Sequence, residues 1–397
     1  MIPIAKAIAI VKRETALLRS EKILLAAASG RVLAEDIVSD TDLPPFDRSQ
    51  MDGYALLAAE TKNAPVKLKI AGESAAGAGW HRLLKPGQAV RIMTGAPVPK
   101  GADAVQKLEL ANEDGKFVEI LAQVKTGEFI VHTGAEIKKG ETLFKTGERL
   151  NSGMLAALAS FGYAKVEAAR RPRMGIMVTG SEIVPVSKIP RRDQIRDSNS
   201  TLLGAYAGQC GATAQTLAPV GDDPKLLKKA IAAAAKNFDV LVISGGVSVG
   251  KYDFTKRVLQ ELGAEIFYEK LSLKPGKPMV FARLGKTLIF GLPGNPVSVA
   301  VTFHLFVRTA LLLMQGASDP ELKTGHAVVQ AKIKAAKERD SMLPVRVETN
   351  EKGQLVIESL RFTGSSNFVA FARANALVFV PQGKTLENGD VAEIRFL

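Results

Sequence analysis

At 397 residues, with 46% apolar and 23% charged side chains, the chain is long enough for two to four domains and is excluded from the collagen-like, low-complexity and disordered classes. One cysteine, Cys210, closes no intramolecular disulfide, and with four scattered histidines it makes no zinc-type cluster, so a reducing cytoplasmic setting is expected. More than half of the formal charge of +13 falls between residues 173 and 326 without a run of five or six basic residues interleaved with aromatics, which favours an anionic small molecule over nucleic acid.

Ile4, Ile8, Val11 and Leu18 recur at helical spacing, so an amphipathic helix opens the chain; a second helical stretch around Ile23 to Ala28 ends at Gly30. Lys6, Lys12, Arg13 and Glu14 interrupt the first repeat and no run of eighteen apolar residues occurs, so neither a signal peptide nor a membrane span is expected. From Thr41 to Ala55, two prolines, three aspartates and a glycine exclude a helix or a central strand, while Phe46, Met51 and Tyr54 argue that the loop packs against something. Residues 66–148 alternate in short runs divided by Gly, Pro and Asn-Glu-Asp-Gly signals and read as a small all-β module. A helix over Leu150 to Phe161 stops at Gly162, and the basic segment Arg170 to Arg173 marks the start of a new domain.

Beyond it, strands at Met174 to Val178, Thr213 to Pro219 and Val240 to Ile243 alternate with helices at Leu202 to Gln209 and Pro224 to Ala235. Such alternation gives a parallel sheet covered on both faces, with ligands bound outside the carboxyl ends of its strands. A helix over Val297 to Leu313 closes the unit, and residues 327–397 return to strands with a hairpin at Asn350 to Gly353. The loops after the α/β strands are therefore the place to look for chemistry.

The strand Val240 to Ile243 delivers the glycine-rich turn Ser244-Gly245-Gly246-Val247-Ser248-Val249-Gly250-Lys251-Tyr252-Asp253 to a helix start. Glycines let backbone N–H groups approach an anion, so the turn suits phosphate; packing alone could also call for them. Gly245 to Lys251 fits part of a nucleotide-binding P-loop, but Tyr252 stands where that motif needs a small hydroxyl for magnesium, which argues against an ATPase. Glu182, Asp197, Asp222, Asp223 and Asp253 fall in neighbouring loops. Asp223 before Pro224 reads as a helix N-cap, whereas carboxylates gathered at one sheet edge call for a cation such as Mg²⁺, with Asp222 and Asp253 the leading ligands. Lys270, Lys274 and Lys277 share one proline-held segment and suit phosphate, and Gly291 to Ser298 is a rigid turn opening a helix. Asp47, Ser49, Asp52 and the Arg91 to Pro97 segment lie outside the α/β unit with nothing intrinsic to tie them to it. Cys210, His304 and Trp80 each stand alone and read as structural.

Read together, these loops resemble one family over nearly the whole chain, the molybdopterin molybdenumtransferases, which include bacterial MoeA and the gephyrin E domain. Pro44 to Ala55 resembles the family's PPFDNSAMDGYA loop, Arg91 to Pro99 its RIMTGAPVP segment and Ser244 to Asp253 its SGGVSVGxxD turn; Leu273 to Pro278 and Gly291 to Ser298 resemble its xKPGKP and GLPGNPVS turns. The resemblance implies a multi-domain α/β plus β fold. It comprises an elongated scaffold and dimerisation domain of helical and β segments at 1–45 and 135–172, an inserted β domain at 46–134, a MogA-like α/β molybdopterin-binding domain at 173–326 and a C-terminal β-barrel at 327–397.

By the same resemblance the chain is expected to insert molybdenum from molybdate into adenylylated molybdopterin with release of AMP, using Mg²⁺ as cofactor, as the last step of molybdenum cofactor biosynthesis. A homodimer is implied, with the α/β domain of one subunit facing the inserted β domain of the other, and a molybdopterin adenylyltransferase as the supplier of substrate. Asp52, Thr94, Asp253 and Lys274 are the implied catalytic residues. Glu182, Asp197, Ser244, Gly245, Gly246, Ser248, Lys270, Lys277, Pro293 and Pro296 are the implied substrate contacts, and Asp222, Asp253 and Glu182 the metal ligands. Three places depart from the pattern. Val131-His132-Thr133 stands where the family commonly has an arginine, Arg48 and Gln50 replace small or amide residues and add a cation, and Ser341 to Pro344 lacks the usual aromatic and arginine. A scaffold without catalysis, or a paralogue that binds molybdopterin or tungstate, is the alternative.

Overall fold

The computed structural model describes residues 1–221, 223–246, 254–358, 360 and 364–397. The chain divides into two compact units: Met1–Glu35 with Thr146–Ala159 and Tyr163–Leu397, and Asp36–Lys145 with Ser160–Gly162.

At the centre of the first unit is a six-stranded sheet. In chain order its elements are β1 (Arg173–Val178), α1 (Asn199–Gln209), β2 (Thr213–Thr216), α2 (Pro224–Ala234), β3 (Val240–Ser244), α3 (Thr255–Glu261), β4 (Glu265–Lys270), β5 (Pro278–Leu284), β6 (Thr287–Leu292) and α4 (Pro296–Thr302). The sheet order is β2-β1-β3-β6-β5-β4. β1, β2, β3 and β6 are parallel, while β5 runs antiparallel to both neighbours, so the sheet is mixed rather than wholly parallel. The cause is local: Gly285, at φ +62°, lets β5 turn tightly into β6, so no crossover helix separates these two strands as a parallel pair would require.

The pleat sends successive side chains to opposite faces. Val240 and Val242 join Ile4, Ile8 and Val11 of the opening helix in one core, and Leu241 and Ile243 join Leu227, Ile231 and Val258 in the other. The opening helix runs Ile4–Glu14, as its spacing requires. The second helix expected around Ile23 is instead the strand Ser20–Leu24, paired with Lys165–Ala169, followed by one 3-10 turn at Leu25–Ala27. A short apolar run reads equally well either way, and the partner strand, distant in sequence, decides it. Asp223 accepts hydrogen bonds from the N–H groups of Lys225 and Leu226 and caps α2, with Pro224 at its first position. Asp223→Ala is expected to cost about 1 kcal/mol in urea unfolding.

Pro296–Met314 is one nineteen-residue helical stretch, apolar and long enough to cross a membrane but 89% buried inside the protein, where it serves as the core helix. It is α-helical to Thr302, makes a π turn over Phe303–Val307 and continues over Arg308–Met314. The remainder of this unit is a closed five-stranded barrel. Strand Asp340–Thr349 pairs with Leu355–Glu358 and Ala376–Val380, and the ring is completed by Thr324–Val329 and Val391–Phe396. The Asn350 to Gly353 turn makes the expected hairpin, with Gly353 at φ +75°.

The second unit is built on another six-stranded sheet, from Val66–Ser74, Gln88–Ile92 and Ala104–Lys107 to Ala111–Asp114 and Phe117–Ile120. Its sixth strand corrects the reading of the proline loop: Gly53–Leu56 is buried and central, paired with Gln88–Ile92 on one side and Ala104–Lys107 on the other. The prolines end before it starts, so nothing in Gly53–Leu56 opposes a ladder. Of the three side chains expected to pack, only Tyr54 is buried; Phe46 and Met51 are exposed.

Candidate functional site

The carboxyl ends of the sheet converge. Val178, Ser244 and Leu292 lie side by side in register, so the turns that follow β1, β3 and β6 leave the sheet together. β2 leads off to one side of β1 and β3 lies on the other, which makes this edge the switch point where open α/β sheets form a crevice. Asn199, at the start of α1, ties the turns: its amide donates to Ser244 Oγ at 2.9 Å and to the Gly294 carbonyl at 2.8 Å. Ser244 Oγ in turn lies 3.4 Å from the Pro293 carbonyl.

Gly245 and Gly246 have φ of +92° and +65°. A Cβ on Gly245 would lie 2.8 Å from the Thr179 carbonyl, and one on Gly246 would lie 2.9 Å from Thr179 Oγ1. Both features demand glycine, so the turn's composition is steric as well as suited to an anion. The expectation that both glycines present N–H groups is corrected: Gly245 donates to the Leu292 carbonyl at 3.0 Å and extends the ladder, leaving the Gly246 N–H unengaged among the described residues.

Farther along the same edge β4 ends at Lys270, opposite Pro278 at the start of β5. Lys270, Lys274 and Lys277 therefore sit on the connection at this edge, all three exposed. From β3 to β4 is three strand spacings, about 14 Å, the reach of a dinucleotide-sized anion. The connection is fixed by Leu273–Lys274 pairing with the barrel strand at Asp340 and Ser341, and Gly276, at φ +118°, is packed against Thr302. Pro293 is buried and Pro296 starts α4, while Asn295 and Val297 bond Ser365.

The carboxylates divide by task. Asp197 is buried and accepts from the Ser200 N–H at 2.9 Å, securing the start of α1 rather than facing a ligand with both oxygens. Glu182 is exposed beside Gly180 and makes no side-chain hydrogen bond or ion pair among the described residues. Asp222, Ser248, Lys251 and Asp253 lie outside the described residues. Among the described residues no three metal-ligating side chains come together, and Glu182 alone is no magnesium site. Buried polar atoms without partners among the described residues do gather here: Asn199 Oδ1, Ser200 Oγ and Thr255 Oγ1. Such atoms are costly until a partner engages them, and no sequence signal marks them.

In the second unit, Asp52 accepts from the Thr94 N–H at 2.6 Å and from its hydroxyl at 2.9 Å. These bonds hold its carboxyl below the usual range, so Asp52 is ionised at neutral pH. Asp47 is held likewise. Burial pushes its pKa up, but hydrogen bonds from Thr133 and His132 outweigh this and bring it below the ordinary value. His132 Nδ1 is 3.1 Å from Asp47, so the residue in the arginine's place binds a carboxylate of its own chain. Arg48, expected as an added cation, is paired with Glu136 at 3.1 Å, and Arg91 is committed to Glu113 and Glu73. Neither offers an uncompensated charge.

The described residues of the motifs that carry the resemblance lie on defined turns and strand ends, and comparison with known proteins covers the same ground. Family models match end to end: the MoeA N-terminal region (domain I and II) over residues 2–162, a probable molybdopterin binding domain over 175–313 and the MoeA C-terminal region (domain IV) over 326–397. The molybdopterin molybdenumtransferase of Bacillus subtilis (strain 168) is 35% identical over 384 residues, 94% of this chain and 89% of the relative. The chain belongs to the molybdopterin molybdenumtransferase family. That of Haemophilus influenzae is 36% identical over 390 residues, covering 94% and 92%. The molybdopterin biosynthesis moeA protein from Pyrococcus horikoshii OT3 superposes with a TM-score of 0.85 at 28% identity, covering all of both chains. The family's fold, a MogA-like α/β domain with a C-terminal barrel in a multi-domain chain, is the fold described above.

Proposed function

We propose that this protein inserts molybdenum from molybdate into adenylylated molybdopterin and releases AMP, the last step in making the molybdenum cofactor. The observation that carries the reading is the common rim: a glycine turn with an N–H and three buried polar atoms that have no partner among the described residues, and three exposed lysines, on one sheet edge. Lys270, Lys274 and Lys277 neutralise the pyrophosphate, while Ser244, Gly246 and the prolines 293 and 296 shape the bed beneath the pterin. Mg²⁺ is the proposed metal, with Glu182, Asp222 and Asp253 as its ligands; when bound it supplies polarisation of the phosphoanhydride. Asp52 stays ionised, too acidic for a general base near neutrality, so its proposed role is to hold and orient the incoming group by accepting hydrogen bonds, with Thr94 as the side chain that fixes it. The protein acts as a homodimer and receives its substrate from an adenylyltransferase.

The test is reconstituted insertion with purified adenylylated molybdopterin and molybdate, using wild type, Lys270→Ala and Lys274→Ala. Each lost charge-assisted bond is expected to weaken substrate binding about 10- to 100-fold, with urea unfolding unchanged because both side chains are exposed. No product above a protein-free control rejects the activity, and full affinity in both variants rejects the site.

A further inference from the structure

At the opposite end of α1 from Asn199, about 15 Å along the helix, a second pocket of about 290 Å³ opens beside Gln209 and Cys210. It lies within the first unit, between α1, the apolar core helix and the last barrel strand. Its wall is aromatic: Tyr206 packs on His304 with ring centroids 4.4 Å apart and on Phe303 at 5.2 Å, and Phe396 lines it too.

Three cations line the same pocket, Arg149, Arg308 and Lys323. Among the described residues none of them forms an ion pair. Arg149 donates to the carbonyls of Gly30, at 3.1 Å, and Gln209, and Arg308 donates to the Pro320 carbonyl. Those bonds fix the two guanidinium groups without neutralising them. Burial lowers the Arg308 pKa most; Cys210 and Asp319 act to raise it and Arg149 to lower it, and the net shift is downward. His304 completes the site. It is 7% exposed and its Nδ1 has no hydrogen-bond partner among the described residues. It sits on the π turn Phe303–Val307, a distortion that is rare in helices and frequent at functional positions. A buried imidazole, uncompensated guanidinium groups and a flat apolar wall around one small cavity are a combination that core packing does not call for.

We propose that this pocket binds a small organic anion, a carboxylate- or phosphate-bearing molecule with a flat apolar body. The anionic head pairs with Arg308, Arg149 and Lys323, and the body lies against Tyr206, Phe303 and Phe396. The site is separate from the rim at the carboxyl ends of the strands and does not depend on the activity proposed for that rim.

The full-length protein, labelled with ¹³C-histidine, is titrated with benzoate, phenyl phosphate and inorganic phosphate. The chain has only four histidines, and His304→Gln assigns the relevant signal. Benzoate or phenyl phosphate is expected to shift the His304 ring signal saturably and to slow alkylation of Cys210, the chain's one cysteine. The stronger of the two identifies the preferred head group, and inorganic phosphate, lacking the apolar body, is expected to bind at least about tenfold more weakly. Arg308→Gln is expected to weaken binding about tenfold or more and Lys323→Gln, at the exposed rim, about threefold. If Arg308→Gln does not fold, Lys323→Gln together with salt dependence decides. An unmoved His304 signal with both aromatic probes, or affinity unchanged in the folded variants, overturns the proposal.

Discussion

Valine in place of Gly245 is expected to destabilise the protein by about 3 kcal/mol and to lower affinity for adenylylated molybdopterin at least about 100-fold. The backbone at Gly245 has φ +92°, a region closed to β-branched residues, and the added Cβ would meet the Thr179 carbonyl at 2.8 Å and its hydroxyl at 2.9 Å. The hydroxyl could rotate, but the carbonyl is backbone: it belongs to the turn after β1, whose Thr179 N–H is bonded to the Ser244 carbonyl. Relief therefore requires the turns after β1 and β3 to part. That motion would also pull on the Gly245 bond to Leu292 and on the Asn199 bonds to Ser244 and Gly294, so the whole bed is disturbed. Gly208→Ala is the control. It lies in α1 with nothing within 4 Å of its missing Cβ, so alanine there is expected to be neutral or stabilising by up to about 1 kcal/mol. Urea unfolding of both variants, with equilibrium binding, is the measurement. A Gly245→Val protein as stable as wild type would show that the turn is not wedged.

The elements legible in the sequence were those whose pattern is local. Ile4, Ile8 and Val11 set a helix by themselves, Asp223 with Pro224 set a cap, and the buried run Val240 to Ile243 set a strand whose glycine turn pointed to the ligand edge. What was missed depends on partners far away in sequence. Ser20–Leu24 is a strand because residues 165–169 lie beside it, and Gly53–Leu56 is central because two strands flank it. The candidate site follows the same division. Glycines, lysines and prolines announced themselves through composition, whereas the role of Asn199, which joins three turns, has no signature in one sequence. Arg48 and Asp197 were legible as charged residues near the motifs, yet only geometry shows Arg48 neutralised by Glu136 and Asp197 engaged by the Ser200 N–H.

His304 illustrates the same limit and yields the second large effect, a loss of stability in mild acid. Burial, with Arg308 adding a like charge, pulls its pKa down from 6.5 to about 4. The groups lining the pocket around it are the cations Arg149, Arg308 and Lys323 together with Tyr206 and Cys210, whose own pKa values burial raises to about 12 and about 11. None of these side chains offers a negative charge in mild acid, and Asp319, which acts on Arg308, is exposed; Leu397, which also lines the pocket, carries the terminal carboxylate, yet the net pull on the His304 pKa is downward. Above pH 6.5 the imidazole is neutral in both folded and unfolded chains, so it adds no pH dependence. Between pH 6.5 and 4 the unfolded chain binds a proton that the folded chain refuses, and stability falls as the pH drops, by about 1.4 kcal/mol per unit. The full loss, roughly 3 kcal/mol, is reached as the pH passes below the folded value. Urea unfolding from pH 7.5 to 4 is expected to show this fall in wild type and not in His304→Gln, so the difference between the two curves changes with pH even where glutamine has its own constant cost. Parallel curves would mean that the imidazole takes up its proton as readily in the folded chain as in water. Repeating the wild-type series with phenyl phosphate joins this result to the pocket: an anion beside Arg308 offsets the positive field on His304 and raises its folded pKa, so the acid loss still begins near pH 6.5 but is smaller and ends at a higher pH.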